Sequence, residues 1–533
     1  MTRRFMFDYR ALGPMPGLRV FMLAVAVALV ALACGGSDDD SSASAGPTET
    51  AVPSPTSTPE PAPGVVSVSA KLSEDNSLIA RVEGVLDGPG QVYVEYWADG
   101  VGRLRTKTYD SVGTSFTVPV VRLRAETTYS FQAYGASPSG GKSEGPSGTF
   151  DTGPLPEILA ASKMDTLVGE PTLPLTFMEF RQAGFLGLAA YENDGSSVWY
   201  FEGPNEEQPY VMALKPNGNI VYIAGFKGGT TAMAIVEIDP LGVEQDRLVD
   251  ECTPFGPIHH EVSVLEDGRV MYLSREILSP GYGDPVMPQE GDTIGIWDQA
   301  AGTNEIVWSA LDFIDPSERT VPESNRRLPG FPLWGGCDRD GDVQDWTHAD
   351  SLSMAEDGSV LIGLRNLDQV VAIAPDFKSI LWRLGGPGGE FTFTDPTDKF
   401  YRPHSVVALP NGNVLLFDNG NHRPGEEGGE YSRGMELALD MDNMTVRKVW
   451  EYRLQPDMFA PCCSNVTRLE NGNTLVMYGS NFVDEATRPY LVIESDRRGG
   501  AVWAAEHTSP GKPNQYRVYP AGSIMGEGPV FAR

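Results

Sequence analysis

A hairpin repeated five times narrows the fold of this chain more than any other feature. The segments VMALKPNGNIVYIAG, VSVLEDGRVMYLSRE, SLSMAEDGSVLIGLR, VVALPNGNVLLFDNG and VTRLENGNTLVMYGS share one plan: apolar strand, turn with glycine, apolar strand. Their turn glycines are Gly218, Gly268, Gly358, Gly412 and Gly472. Asn-Gly and Asp-Gly turns demand positive φ, which glycine adopts without steric cost, so they close tight antiparallel hairpins. Another strand pair follows each hairpin, often ending in Val-Trp or Leu-Trp, as at Trp308, Trp382, Trp450 and Trp503. Four short strands in a repeat of about 50 residues describe a propeller blade. Strands near 175–203, including Trp199, pair with Gln515–Tyr519 to close a sixth blade in this reading. The expected fold class is all-β, a six-bladed β-propeller over 160–533.

The preceding segments read differently. Over 64–153, alternating strands such as Gln91–Trp97 and Ser115–Val120 between Gly, Asp and Pro turns predict a small β-sandwich. The stretch Leu123–Ala133 resembles the fibronectin type III pattern with its tyrosine corner, although Ala125 stands where that family usually has proline. Its expected role is a spacer or interaction module. At the N-terminus, Arg3, Arg4, Arg10 and Arg19 precede the apolar run Val20–Ala33, which describes a secretory signal over 1–34. The sequence Ala31-Leu32-Ala33-Cys34-Gly35 resembles a bacterial lipoprotein cleavage box, with Cys34 as the lipidated residue. Residues 35–63 lack apolar periodicity and are expected to form a disordered tether. The expected product is exported, held to a membrane by an N-terminal lipid, at the cell surface or in the periplasm.

Charge limits the partners. The chain carries −32, and loss of residues 1–33, with four Arg and one Asp, leaves −35. So acidic a surface excludes nucleic acid, and an anionic substrate needs a local positive pocket. Beyond Cys34, the four cysteines Cys252, Cys337, Cys462 and Cys463 permit three complete pairings, and export favours disulfides. None has metal-ligand spacing, which leaves a zinc site little support; no cofactor is expected.

Only six histidines are present, and three share one repeat phase. His260 and His404 stand eight residues before their turn glycines, and His348 stands ten before. Tyr210 and Ser464 are the equivalents in the other two hairpins. The first strand of a blade lines the central channel, so these positions converge on one rim. Seven residues past the glycines, Arg275, Arg365 and Asn419 return to that rim. Arginines among the imidazoles oppose a cation and suit a small oxyanion, whose oxygens match the guanidinium fork. His259, His422 and His507 lack this phase and read as structural or peripheral.

These same residues carry a family resemblance. His259-His260-Glu261, Asp345-Trp-Thr-His348-Ala-Asp-Ser351, Gly363-Leu-Arg365, Ile380–Gly386, Pro403-His404, Phe417-Asp-Asn-Gly420, Ser432-Arg433 and Asn471-Gly-Asn473 look like bacterial arylsulfotransferases. The resemblance implies sulfuryl transfer from an aryl sulfate to a phenol, independent of phosphoadenosine phosphosulfate, through a transiently sulfated histidine on a six-bladed propeller. Carried over by motif, His404 matches the nucleophile, and His260, His348 and Arg365 its partners. Arg365 would hold the sulfuryl oxygens, and either His260 or His348 would serve as acid and base. Arg275, Asn419 and Asp350 are the expected substrate-binding residues. Asp350 departs from the asparagine of relatives and could either orient His348 or signal altered substrates. Two alternatives use the same pocket: an aryl sulfate hydrolase, and an anchored non-catalytic propeller binding an anionic ligand or a protein. Asp338–Asp342 reads as a solvated loop rather than a calcium site, and 314–345 as a lid. Cys252, Cys337 and Cys462-Cys463 each approach a first strand, which predicts at least one disulfide bracing the mouth.

Overall fold

The computed structural model describes residues 60–182, 184–226, 233–250, 256–278, 289–318, 344–479, 490–510 and 515–530. The signal, Cys34, most of the tether, Cys252, Cys337 and the Asp338–Asp342 loop lie outside these residues. The architecture is all-β, and among the described residues no helix is long and apolar enough to cross a membrane.

Two sheets form the N-terminal body. One holds Val65–Leu72, Ala80–Leu86 and Ser115–Val120; the other runs Val101–Arg105, Gln91–Ala98, Thr128–Ala136, Lys142–Asp151. Alternation turns Val82, Val94, Tyr96, Tyr129 and Phe131 inward to a common core. The Arg124 amide donates to Tyr129 Oη at 2.9 Å, pinning the crossover into the strand that follows.

Six further sheets follow in chain order. Sheets two to five are each built from consecutive strands. Sheet two opens with Glu207–Leu214, sheet three with His259–Val264, sheet four with Ala349–Met354 and sheet five with Pro403–Ala408. Sheets one and six each borrow a strand from the opposite chain end. Val518–Ala521 pairs with Leu175–Gln182 to lead sheet one, and Lys163–Gly169 adds to Ala501–Thr508 at the far edge of sheet six. From sheet two to sheet six, opening strands lie against one another in order. Asn465, in the opening strand of sheet six, exchanges hydrogen bonds with the backbone of Val518 at 2.9 and 3.1 Å. Apolar clusters fill the spaces between neighbours: Val370 and Leu384 of sheet four meet Val406, Leu416 and Met435 of sheet five.

The turn signals read from sequence are where expected. Gly218, Gly268, Gly358, Gly412 and Gly472 all have positive φ, between 79° and 92°. One boundary differs. The segment expected to run as one unit to its end instead returns to the N-terminal body, where Gly528–Pro529 pairs with Val101–Arg105. That strand is an open sheet edge, whose unpaired backbone groups invite an added strand. Buried Glu527 fixes the return by accepting from the Ile524 and Met525 amides.

Candidate functional site

A repeated backbone irregularity prepares the site. The pairing of the opening strand slips between Tyr210 and Met212, His259 and Val262, Ala349 and Ser351, and His404 and Val407. At or just before these slips stand left-handed non-glycine residues: Val211, His260, His348 and Ser405, with φ of 48°, 54°, 48° and 52°. Ser464 of sheet six, at 79°, continues the series. A bulge re-aims a side chain out of the ladder, and a β-branched residue at such φ is a steric outlier. Repetition of this strain at one level of successive sheets turns the histidines toward a common centre.

That centre is ringed by aromatic nitrogen and oxygen. His260 and His348 have ring centroids 4.9 Å apart, and Tyr516 lies 5.7 Å from His260 and 6.2 Å from His404. The Tyr516 hydroxyl is buried with no hydrogen-bond partner among the described residues. A cleft of about 540 Å³ between the N-terminal body and the outer strands of sheets one and two contains none of these groups.

The surroundings of each histidine set its tautomer. His404 Nδ1 lies 2.7 Å from Asn419 Oδ1. The amide nitrogen of Asn419 is spent on the carbonyls of Ala460 and Cys463, at 2.8 and 3.3 Å, so its oxygen must face His404. Nδ1 therefore carries the proton and the lone pair lies on Nε2, where the Cys463 amide donates at 3.2 Å. Burial, then the positive charge of Arg365, holds the His404 imidazole well below its ordinary range, so it is neutral. His259 Nε2 meets Asp292 Oδ1 at 3.1 Å, and its Nδ1 meets His260 Nδ1 at 2.8 Å. Burial and Arg275 hold His259 down to about 4. A neutral His259 with its proton on Nε2 accepts at Nδ1, so His260 donates there and keeps an open lone pair on Nε2. Burial, and then His348, also keeps His260 neutral. His348 differs: its Nδ1 is bound to the Asp345 carboxylate, which fixes the ring and leaves Nε2 as the nitrogen turned away from that bond.

The expected residues divide accordingly. His260, His348, His404, Arg365 and Asn419 come together. Arg365 donates its amide to His348 O at 3.2 Å, and its half-buried guanidinium reaches Asn366 Oδ1 and Pro461 O at 3.0 and 3.4 Å. Arg275 stands behind His259, fully buried, 3.5 Å from Glu290 Oε1 and 3.8 Å from Asp292 Oδ1. Its charge faces carboxylates rather than an open mouth. Asp350 does not orient His348, which Asp345 does; its Oδ2 lies 3.3 Å from His404 Nδ1 instead. The bulge after Ala349 accounts for the difference by turning Asp350 to the neighbouring sheet.

Sequence reasoning missed three members. His259 lies out of phase with the repeat, yet it fixes the His260 tautomer. Tyr516 and Arg517 precede the strand that closes sheet one, and carrying the repeat register onto Gln515–Tyr519 would have exposed them. Arg517 bridges Glu261 Oε2 and Asp350 O at 2.7 and 2.6 Å. His422 is exposed and His507 packs among Phe180, Tyr191 and Tyr490, both away from this cluster. Cys463 lies against His404, as expected of the cysteine pair.

Residues 173–518 match the family Arylsulfotransferase (ASST), well over half of the chain. The chain belongs to the arylsulfotransferase family. Membership carries a transferase activity of the aryl sulfotransferase kind, with aryl sulfates and phenols as the implied substrates. No curated protein matches the chain. Among solved structures, a Bacteroides caccae protein of unknown function is 14% identical at TM-score 0.39, covering 66% of this chain and 100% of its own. A Dyadobacter fermentans protein of unknown function is 14% identical at TM-score 0.36, covering 73% and 96%. Virginiamycin B lyase of Staphylococcus aureus is 9% identical at TM-score 0.33, covering 65% and 99%. Likenesses this distant carry no functional argument.

Proposed function

We propose that this arylsulfotransferase works in two half-reactions through a sulfated His404. The fixed tautomer of His404 carries this reading, because a neutral ring with its lone pair on Nε2 is a ready nucleophile in a buried site. In the first half, Nε2 bonds to sulfur, the sulfur–oxygen bond to the aryl group breaks, and the departing oxygen takes the Nε2 proton of His348. In the second half the acceptor phenol returns a proton to His348, its oxygen attacks sulfur, and the bond to His404 breaks. Asp345 binds Nδ1 of His348 and so orients that ring for proton transfer at Nε2, which favours His348 over His260 as the acid and base. Neutral His260, 4.9 Å away, is suited to hold His348 and the phenol rather than to give up a proton. Arg365 and the Cys463 amide would meet the sulfuryl oxygens and offset charge in the transition state.

The wider reading follows from the same arrangement. The six sheets are proposed as the blades of one propeller, with the site at its channel mouth. The N-terminal body is proposed as a fibronectin type III-like spacer, in keeping with the Tyr129 bond to the Arg124 amide. The remaining proposals are lipidation of Cys34, export and membrane anchoring, and a disulfide among the mouth cysteines.

A chromogenic aryl sulfate supplied to membrane fractions, with and without a phenol, tests the function. Expected are acceptor-dependent turnover, a sulfuryl-mass adduct on the peptide containing His404, and loss of both in His404→Ala. Turnover without acceptor makes the protein a hydrolase, and neither turnover nor adduct over a broad donor panel makes it a binding protein. In the same fractions Cys34→Ala should move the activity from membrane to soluble phase; activity that stays membrane-bound removes the lipid anchor.

A further inference from the structure

The inference concerns the buried carboxylate of Asp350 beside His404, and it rests on the proposed role of His404. Asp350 is fully buried in the opening strand of sheet four. Its Oδ1 accepts from Ser351 Oγ at 2.8 Å and its backbone oxygen from Arg517 Nη2 at 2.6 Å, so the side chain is held in place. Oδ2 has no hydrogen-bond partner among the described residues, and it points at His404 Nδ1 from 3.3 Å. A buried carboxylate oxygen without a bond is costly unless it gains something at another stage of a cycle.

Sulfuryl transfer supplies that stage. While His404 is neutral, its Nδ1 proton belongs to Asn419, the nearer acceptor at 2.7 Å. When Nε2 bonds to sulfur and the aryl oxygen leaves with its electron pair, the ring keeps that proton and becomes cationic. Asn419 can orient such a ring but cannot balance its charge, and Asp350 can. We propose that Asp350 is a positioning residue that acts through His404, pairing with the ring when it carries the sulfuryl group and so lowering the barrier to the first half-reaction.

The neighbours permit this. Arg365 and Arg517 face both Asp350 and His404 with positive charge, Glu261 faces Asp350 with negative charge, and His348 and His260 also face His404. Burial lifts the Asp350 carboxyl well above its usual range and, with Arg365, lowers His404, so the two are poised against each other. Whether the acid limb of the rate reports protonation of His404 or of Asp350, removal of the carboxylate shifts it in one direction, toward lower pH.

Asp350→Asn is the informative change, since it keeps shape and deletes charge. Expected are a fall of about 10-fold or more in the pre-steady-state release of phenol from a chromogenic aryl sulfate, KM within about twofold, and an acid limb moved to lower pH. The second readout needs no turnover: the titration of ¹⁵N-labelled His404 should also move to lower pH in the variant, with the Nδ1–H tautomer retained. An unchanged release rate and acid limb, or an unchanged titration, overturns the proposal. If the titration moves but the unaltered protein forms no adduct on His404, sulfuryl transfer fails while the pairing of Asp350 with His404 stands.

Discussion

At the scale of single residues, the site is controlled by groups that never need to touch a substrate. Asn419 shows why. Its amide nitrogen is committed to two backbone carbonyls, so its oxygen can only face His404, and one hydrogen bond decides which ring nitrogen attacks. Asn419→Ala should therefore lower kcat by about 10- to 100-fold, the range seen when partners that orient a functional imidazole are lost. KM for the aryl sulfate should change little, because the binding groups stay in place. Steady-state kinetics at saturating phenol would check this, and a change confined to KM would count against it. Sequence made Asn419 a candidate through its repeat phase. It could not reveal the fixed amide, because Ala460 and Cys463 arrive from the approach to another sheet.

At the scale of strands and sheets, buried glutamates tie neighbours together. In three hairpins the turn glycine is followed by asparagine, at Asn219, Asn413 and Asn473, and each donates to a glutamate on the third strand: Glu237, Glu436 and Glu494. Each glutamate also binds a residue beyond its own sheet: Gln299, Arg468 and Thr172 respectively. Where the turn ends instead in Arg269 or Ser359, the matching third-strand positions are apolar, Ile296 and Ala372. Burial alone would raise the Glu436 carboxyl, but bonds from Asn413 and Arg468 outweigh it and hold it below its usual range. Glu436→Gln should cost about 2 kcal/mol, the scale of hydrogen bonds to a charged group, read as a lower urea midpoint at unchanged slope. An unchanged midpoint would mean that the lock contributes nothing to stability. Much of this layer was legible in the chain: Asn-Gly turns and strand alternation are local signals, and they placed the hairpins correctly. The opening-strand bulges were not, since Val211, His260 and Ser405 adopt left-handed backbone without glycine, and only packing between sheets compensates that strain. The exchange of chain ends was half legible. Gln515–Tyr519 was matched with the first strands, whereas the return of Gly528–Pro529 to Val101–Arg105 depends on a distant open edge.

At the scale of the whole molecule, acid should act first on the place where the chain closes on itself. Sheet six takes its last strand from the N-terminal side, pairing His507 with Met164, while Phe180 of sheet one packs on the same imidazole from 5.6 Å. His507 is buried with both ring nitrogens unpartnered among the described residues, and burial holds it down to about 4. An unfolded histidine titrates near 6.5. Between these values only the unfolded chain gains the proton, so the stability His507 contributes is complete above about pH 6.5 and is lost as pH falls toward 4. Other groups pull the opposite way: burial raises Asp350, Glu261 and Glu527, and acidification relieves the repulsion of a chain carrying −32. The histidine term must therefore be isolated by difference. His507→Phe keeps an aromatic ring beside Phe180, Tyr191 and Tyr490 and removes the titration, at a packing cost of about 1.5 kcal/mol or less at neutral pH. Relative to the unaltered protein, the variant should gain about 2–3 kcal/mol between about pH 7.5 and about pH 4.5, measured from urea midpoints at both. An identical pH dependence in the two proteins would show that the seam between sheets six and one is not where acid enters, and would move attention to the other buried imidazoles held low, His259, His260 and His404, at the site itself.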